Sequence, residues 1–243
     1  VISVKGLSHR FGDREVLKDI SFEVAQGELL ALMGSSGGGK TTLLRCISGL
    51  IPPTEGQVFV AGIDAVGEPE RARSAMGMVF QYAALFDSMT VSENILFGIR
   101  RRRELTKKEE ITLVGEALSR VGLIDAAGFM PSELSGGMRK RVGVARALAL
   151  EPRVILYDEP TTGLDPITTY TIDELIVSVK EDLQVTGLLV SHDVASVMRV
   201  ADRVAFLHQG GLAYLGTPEG FLESEFAPIQ ELVQKSRSLT LAN

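Results

Sequence analysis

Gly34, four intervening residues, then Gly39-Lys40-Thr41 set a lysine and a hydroxyl directly behind a glycine-rich turn. An apolar run, Leu29 to Met33, precedes the turn and reads as a buried strand, and a helical pattern opens at Lys40. That strand–loop–helix setting is what a phosphate cradle requires. Glycine backbone can curl until several N–H groups aim at one oxyanion, and it takes φ > 0 cheaply. The helix start adds the positive end of its dipole. In this chemistry Gly34, Ser35, Ser36, Gly37, Gly38 and Gly39 surround the phosphates, with Thr42 beside them. Lys40 reaches the β- and γ-phosphates, and the Thr41 hydroxyl binds Mg²⁺. The plain alternative is a glycine-rich turn with a surface lysine. The apolar strand before it, and the lack of β-branched residues inside the loop, count against that.

A second constellation follows far downstream. Val154 to Tyr157 is a short apolar run ending in two adjacent acids, Asp158-Glu159. Ligands of parallel sheets bind at the carboxyl ends of strands, which brings both acids toward the phosphate loop. Asp158 then holds Mg²⁺ through water, and Glu159 is the general base for a water attacking the γ-phosphate. Gln81 ends another strand, where its amide can position water or touch Mg²⁺. His192 ends a third; it reads either as a neighbour of a helix-capping Asp193 or, favoured here, as a γ-phosphate contact. Leu134-Ser-Gly-Gly-Met138 opens a further helix, so that Ser135, Gly136 and Gly137 form a second anion site at a helix start. It lies more than ninety positions after Lys40. Two such sites on one chain suggest an oligomer in which each copy covers the other's nucleotide.

These residues need a scaffold, and the chain supplies one. Ile2, Val4, Val16, Ile20, Phe22 and Val24 alternate with polar residues, which predicts an antiparallel hairpin turning at Gly12-Asp13. Phe11 sits at its tip, either covering the sheet edge or offering a π-face to a nucleotide base. After the phosphate loop a helix is expected to about Leu50, stopped by Pro52-Pro53, with strands at Gln57–Val60 and Met76–Phe80. From Tyr82 to Leu150 the pattern turns helical, with capping boxes at Thr90–Glu93 and Thr106–Glu109 and apolar Val91, Ile95 and Ile99 between them. Strands return at Val154–Tyr157, Leu188–Ser191 and Val204–Leu207. A helix from Ile167 to Asp182 lies between the first two, capped by Asp165 with Pro166 at its first position. The tail is expected to be helical from Phe221 to Val233 and frayed from Gln234. Alternating strands and helices predict an α/β fold on a mostly parallel sheet.

Composition narrows the class. The 243 residues are 45% hydrophobic and 23% charged, an ordinary globular balance. No apolar run approaches the ~18 residues of a membrane helix, and the start does not resemble a signal peptide, so the chain is not expected to cross a bilayer by itself. Because the first residue is Val1 rather than Met, the natural start is expected upstream. A net charge of −6 lacks the electrostatic footprint of nucleic-acid binding. The single Cys46 leaves no internal disulfide, fits a reducing compartment and is expected to be a buried structural thiol. The basic cluster Arg100–Arg103, with Lys107 and Lys108, reads as a solvated helix end or as a contact for lipid headgroups or an acidic partner.

Taken together the motifs resemble the ATP-binding-cassette ATPases. Gly34–Thr41 is similar to their Walker A, Gln81 to the Q-loop, Leu134–Met138 to the LSGGQ signature and Tyr157–Glu159 to the Walker B end. Gly163-Leu-Asp165 is similar to the D-loop and His192 to the switch histidine. The likeness spans Val1 to Glu219. It implies a P-loop NTPase core (1–81 and 151–220), an N-terminal antiparallel β subdomain within it, an inserted α-helical subdomain (82–150) and a C-terminal helical tail (221–243). It also implies ATP and Mg²⁺ as cofactors and Phe11 as the adenine-stacking aromatic, with the ligand sets given above and Asp165 beside the nucleotide. A head-to-tail dimer would sandwich two ATP molecules. Transmembrane permease subunits on separate chains would be energised from the cytoplasmic face of the membrane. Three departures are visible: Gly38 for a small side chain, implying a floppier loop, Thr41 for a frequent Ser, and Phe11 for the common Tyr.

Residues 130–138, Phe80–Phe86 and Asp165–Thr168, with Met138 in place of the signature Gln, narrow the resemblance to the Mla/Mce-type cassettes of phospholipid and lipid transport. Alternatives are an importer of another small substrate, a soluble cassette in iron–sulfur cluster assembly or DNA repair, and a nucleotide-regulated binder without turnover. The apolar segment from Tyr82 to Gly98 serves either permease docking or packing within the helical insertion.

Overall fold

In the computed structural model, which describes residues 1–35 and 37–241 with the side chains of 237–241 excepted, the N-terminal alternation forms the expected hairpin. Strands β1 (Ile2–Phe11) and β2 (Arg14–Val24) pair antiparallel across Gly12-Asp13, burying Ile2, Val4, Leu7, Leu17 and Ile20 on one face. Strand β3 (Leu29–Gly34) is buried at all six positions, as a parallel strand covered on both faces must be. Helix α1 (Lys40–Ile47) ends before the prolines expected to stop it. Gly49, at φ +65° with its N–H on the Cys46 carbonyl, turns the chain first, because glycine tolerates this left-handed exit. Strands β4 (Glu55–Val60) and β5 (Ile63–Asp64) complete a four-stranded sheet of order β2-β1-β4-β5. Helix α2 (Pro69–Ser74) leads into β6 (Met76–Val79).

The helical insertion starts later than its composition suggests. Residues 80 to 89 are turns and irregular chain, with Ala83 and Ala84 both left-handed at φ +59° and +47°. Regular helix begins with α3 (Val91–Arg100), followed by α4 (Lys107–Arg120) and α5 (Gly136–Leu148). Both capping boxes form. The Thr90 N–H donates to the Glu93 carboxylate at 2.8 Å while the Thr90 hydroxyl accepts from the Glu93 N–H at 3.2 Å, and Thr106 and Glu109 repeat the exchange. Val91, Ile95 and Ile99 face inward and share a core with Val142, Ala145 and Leu148 of α5. The basic cluster lies at an exposed helix end, where Arg100 pairs with Glu110.

The remaining elements are β7 (Val154–Asp158), α6 (Pro166–Leu183), β8 (Thr186–Val190), α7 (Val194–Val200), β9 (Arg203–His208), β10 (Gly211–Gly216), α8 (Pro218–Leu222) and α9 (Ala227–Leu241). The larger sheet has the order β10-β9-β3-β8-β7-β6, parallel except for β10. The carboxyl ends of β3, β6, β7 and β8 therefore open on one edge. The tail is two helices rather than one, interrupted at Glu223 to Phe226. Helix also persists beyond Gln234 to Leu241, where fraying was expected. Phe221, Ile229 and Val233 bury against Met33, Val204 and Phe206, which anchors this tail to the sheet. Ala242 and Asn243 lie outside the described residues.

Candidate active site

The phosphate loop leaves β3 at Gly34, where a Cβ would run into the Leu207 carbonyl of neighbouring β9. Gly39 caps α1 in the left-handed region at φ +97°, and a side chain there would lie 2.7 Å from Leu17 Cδ2 of the N-terminal hairpin. Gly38 is packed rather than floppy. It is buried, its N–H donates to the Ser35 carbonyl at 3.0 Å, and a Cβ would stand 2.9 Å from that oxygen. Lys40 bends back over the loop, donating to the carbonyls of Gly34 at 2.8 Å and Ser35 at 3.1 Å. Burial holds its ammonium below the usual lysine range, opposed in part by the charge of Glu159. Thr41 is exposed and Thr42 half-buried on the first turn, which carries no acidic residue to compete for an anion. Ser35 and Gly37 are exposed; Ser36 lies outside the described residues.

Beside the loop, β7 delivers the two acids. Asp158 is half-buried, and burial, then the Glu159 charge, pushes its carboxyl above the usual range against the pull of Arg45. Among the described residues no hydrogen bond engages this carboxylate. A desolvated oxygen donor without a partner is suited to a hard cation. Glu159 adopts φ +50°, which a glutamate occupies only where its surroundings hold it. Its N–H donates to the Val190 carbonyl of β8 at 2.9 Å. The left-handed turn aims the carboxylate at β8's continuation: Oε2 lies 2.7 Å from Nδ1 of His192 and accepts from the Thr162 hydroxyl at 2.9 Å. Asp193 does cap α7 through the N–H groups of Ala195 and Ser196, yet His192 takes no part in that cap.

Gln81 follows β6 by two residues, half-buried, and its carbonyl accepts from the ammonium of Lys140 on α5. Phe11 stays 54% exposed at the hairpin tip, with His9 edge-on to its ring at 4.6 Å between centroids. The hairpin that carries it rests on the phosphate loop through Leu17 and Val16, as the Gly39 contacts show. Gly34, Ser35, Gly37 to Thr42, Asp158, Glu159, His192 and Gln81 thus gather along one edge of the larger sheet.

The other candidates form a separate cluster. Ser135 caps α5 by accepting from the Met138 N–H at 3.2 Å, leaving Ser135 and Gly136 exposed. Gly137 is buried against the Thr168 methyl at the start of α6. The Asp165 carboxylate accepts from the Thr168 hydroxyl and from the N–H groups of Thr168 and Ile167. The hydroxyl bond, foremost, holds it below the usual carboxylate range. Among the described residues no hydrogen bond or ion pair joins Ser135–Gly137 or Asp165 to the phosphate loop.

Sequence reasoning missed Lys140 and Arg146. Lys140 shares the buried face of α5 with Val144 and Ala147, a helical spacing that would have marked it. Arg146 donates to the carbonyls of Ala83 and Ala84, both at 2.7 Å.

The family model described as ABC transporter matches residues 17–162. The chain is 36% identical over 255 residues to the chloroplastic protein trigalactosyldiacylglycerol 3 of Arabidopsis thaliana, covering 97% of this chain and 74% of that one. It is 40% identical over 229 residues to the intermembrane phospholipid transport system ATP-binding protein MlaF of Haemophilus influenzae, covering 93% and 87%. Sulfate/thiosulfate and glutamine transport proteins match at 42% and 38% identity. Among solved structures, the dimeric post-hydrolysis state of an ATP-binding cassette with ADP and Pi superposes at a TM-score of 0.81. It is 30% identical, over 90% of this chain and 99% of that one.

Proposed function

The chain belongs to the ABC transporter family and is an ATPase with that family's cassette fold, and on that premise we propose that two copies close over two ATP molecules to drive a membrane transporter of phospholipid or another lipid. The observation that carries this reading is the separation of the two anion sites. Lys40 and the start of α1 can line one side of a triphosphate, while Ser135–Gly137 at the start of α5 belongs to a different cluster of the same chain. A second copy in head-to-tail arrangement presents its own α5 to the open side. Lys40 and two helix ends then offset charge that either half alone leaves exposed. ATP is bound far better by the closed pair, so hydrolysis reopens it.

Within each half, Glu159 takes the proton of the attacking water, and His192, hydrogen-bonded to that carboxylate, contacts the γ-phosphate. Gln81 positions the water, and Phe11 stacks on the base. The Thr41 hydroxyl, the Asp158 carboxylate and the Gln81 amide are the oxygen donors that would hold Mg²⁺. When bound, the ion offsets charge on the phosphate oxygens. The core takes residues 1–81 and 151–220, the helical subdomain 82–150 and the tail 221–243.

Attachment to the membrane is peripheral, through permease chains on its cytoplasmic side; no described helix is long and apolar enough to cross a membrane. The docking surface is the segment after Gln81, where Tyr82 is 82% exposed and Phe86 42%. Phe86 packs on Phe97, 4.5 Å between ring centroids, beside a groove of about 270 Å³ lined by Met89, Glu93, Phe97, Arg100 and Arg101. Exposed aromatics of that kind mark interaction surfaces. A lipid cargo is supported by the likeness to the phospholipid protein and by the three short Mla/Mce-type stretches. Extraction of the tagged chain in mild detergent tests this. A membrane-embedded partner carrying bound phospholipid is expected; a soluble scaffold as sole partner, or a permease whose ATP turnover responds only to sulfate or glutamine, would contradict it.

A further inference from the structure

Lys140, Gly143 and Arg146 recur at i, i+3 and i+6 of α5, which stacks them on one face of the helix. Against that face runs the chain after Gln81. The Lys140 ammonium donates to the Gln81 carbonyl, Gly143 packs beside Ala83, and Arg146 donates to the carbonyls of Ala83 and Ala84. The two consecutive left-handed alanines are a conformation that side-chain-bearing residues adopt rarely, and this clamp fixes it. Neither cation has a carboxylate within ion-pair distance among the described residues, and burial lowers the basicity of both. Desolvating a cation is costly unless its donors are satisfied, so the site is built around those backbone carbonyls.

Lys140 differs from Arg146 in one respect. Its ammonium also reaches the carbonyl of Glu159, at 3.4 Å, across the boundary between the helical insertion and the sheet. Three polar contacts and the Gly143–Ala83 approach make α5 and residues 81–84 one body. That longer contact ties the same body directly to the backbone of the turn carrying the general base.

We propose that Lys140 is a positioning residue for ATP hydrolysis, fastening the helix that begins at Ser135 to both the Gln81 and the Glu159 loops. When α5 shifts, Gln81 and Ser135 move together, and the Lys140–Glu159 contact registers the Glu159 turn against them. This rests on Glu159 acting as the base.

The test compares ATP turnover and equilibrium ATP binding of the full chain, assembled with its permease, for Lys140→Met, Lys140→Arg and Glu159→Gln. Lys140→Met is expected to lower kcat on the order of tenfold or more while leaving KM and the affinity for ATP within about twofold, since misplacement of a catalytic group acts on the chemical step. Lys140→Arg, which keeps the charge and the donors, is expected to restore most of the rate. An unchanged kcat in Lys140→Met would overturn the proposal. So would an arginine variant as slow as the methionine one with the same loss of melting temperature, which would mean packing alone. Should Lys140→Met fail to fold, Lys140→Gln is read by the same criteria, its side chain uncharged and one atom too short to span both carbonyls. Persisting turnover in Glu159→Gln would instead remove the base assignment. Its loss, beside an unaffected Lys140→Met, would remove only the role of Lys140.

Discussion

His192 Nδ1 and Glu159 Oε2 lie 2.7 Å apart although they follow different strands, because the register pairing Asp158 with Val190 sets the two strand ends side by side. The left-handed backbone of Glu159 completes the approach, and the Thr162 hydroxyl holds the same oxygen from the other side. Removing the imidazole leaves the carboxylate placed but no longer tied to the loop after β8. His192→Ala is expected to reduce single-turnover hydrolysis about a hundredfold, the low end of acid–base contributions, with ATP still bound. Full-speed hydrolysis in that variant would place His192 outside the chemistry.

Lys40 donates within the loop and carries the only cationic side chain between Val24 and Arg45. A charge-assisted bond to phosphate is worth roughly 1.5–3 kcal/mol, so Lys40→Ala is expected to weaken ATP affinity about tenfold to a hundredfold. Titration calorimetry measures it. Undiminished affinity would contradict the assignment of the loop.

Gly137 has no room for a methyl: a Cβ there would lie 2.5 Å from Thr168 Cγ2. Overpacking of this kind costs about 1–3 kcal/mol, and at this chain length each kcal/mol moves Tm by roughly 2–4 °C. Gly137→Ala is therefore expected to melt lower. Adding Thr168→Ser, which deletes the methyl and keeps the hydroxyl on Asp165, should return most of the loss. Additive losses in the double variant would show that the two positions do not meet.

Cys46 is buried on α1, and burial pushes its thiol up to about 12. The thiolate is the reactive form, so the folded chain should resist alkylation at pH 8 and react at once in denaturant. The stability effect has a definite sign. Below about pH 9 the thiol is neutral folded and unfolded. From there to about 12 only the unfolded chain ionises, so stability falls as pH rises through that window. Rapid labelling under native conditions would contradict the burial.

Much of this site could be read from residue types because its chemistry depends on local spacing. The glycine pattern before Lys40, the paired acids after an apolar run and the capping Ser135 each occupy fewer than ten positions. The two capping boxes and Asp165-Pro166 were equally local. What sequence reasoning lost depends on distant packing. The prolines at 52 and 53 were the stronger stop signal, yet Gly49 ends α1 because its left-handed turn fits the packing against Ala65 and Pro69. Ala83 and Ala84 suggest helix by propensity, and the Arg146 guanidinium from α5 holds their carbonyls otherwise. Lys140 itself was hidden because a lysine is ordinarily a solvated residue, and only the carbonyls of two distant loops make its burial tolerable.

The mass of the Glu159→Gln chain at saturating ATP and Mg²⁺, measured by light scattering alone and again with its membrane partner, tests the paired-site mechanism most directly. The expected result is two copies holding two unhydrolysed ATP molecules, separating when nucleotide is removed. A single copy under both conditions would contradict it.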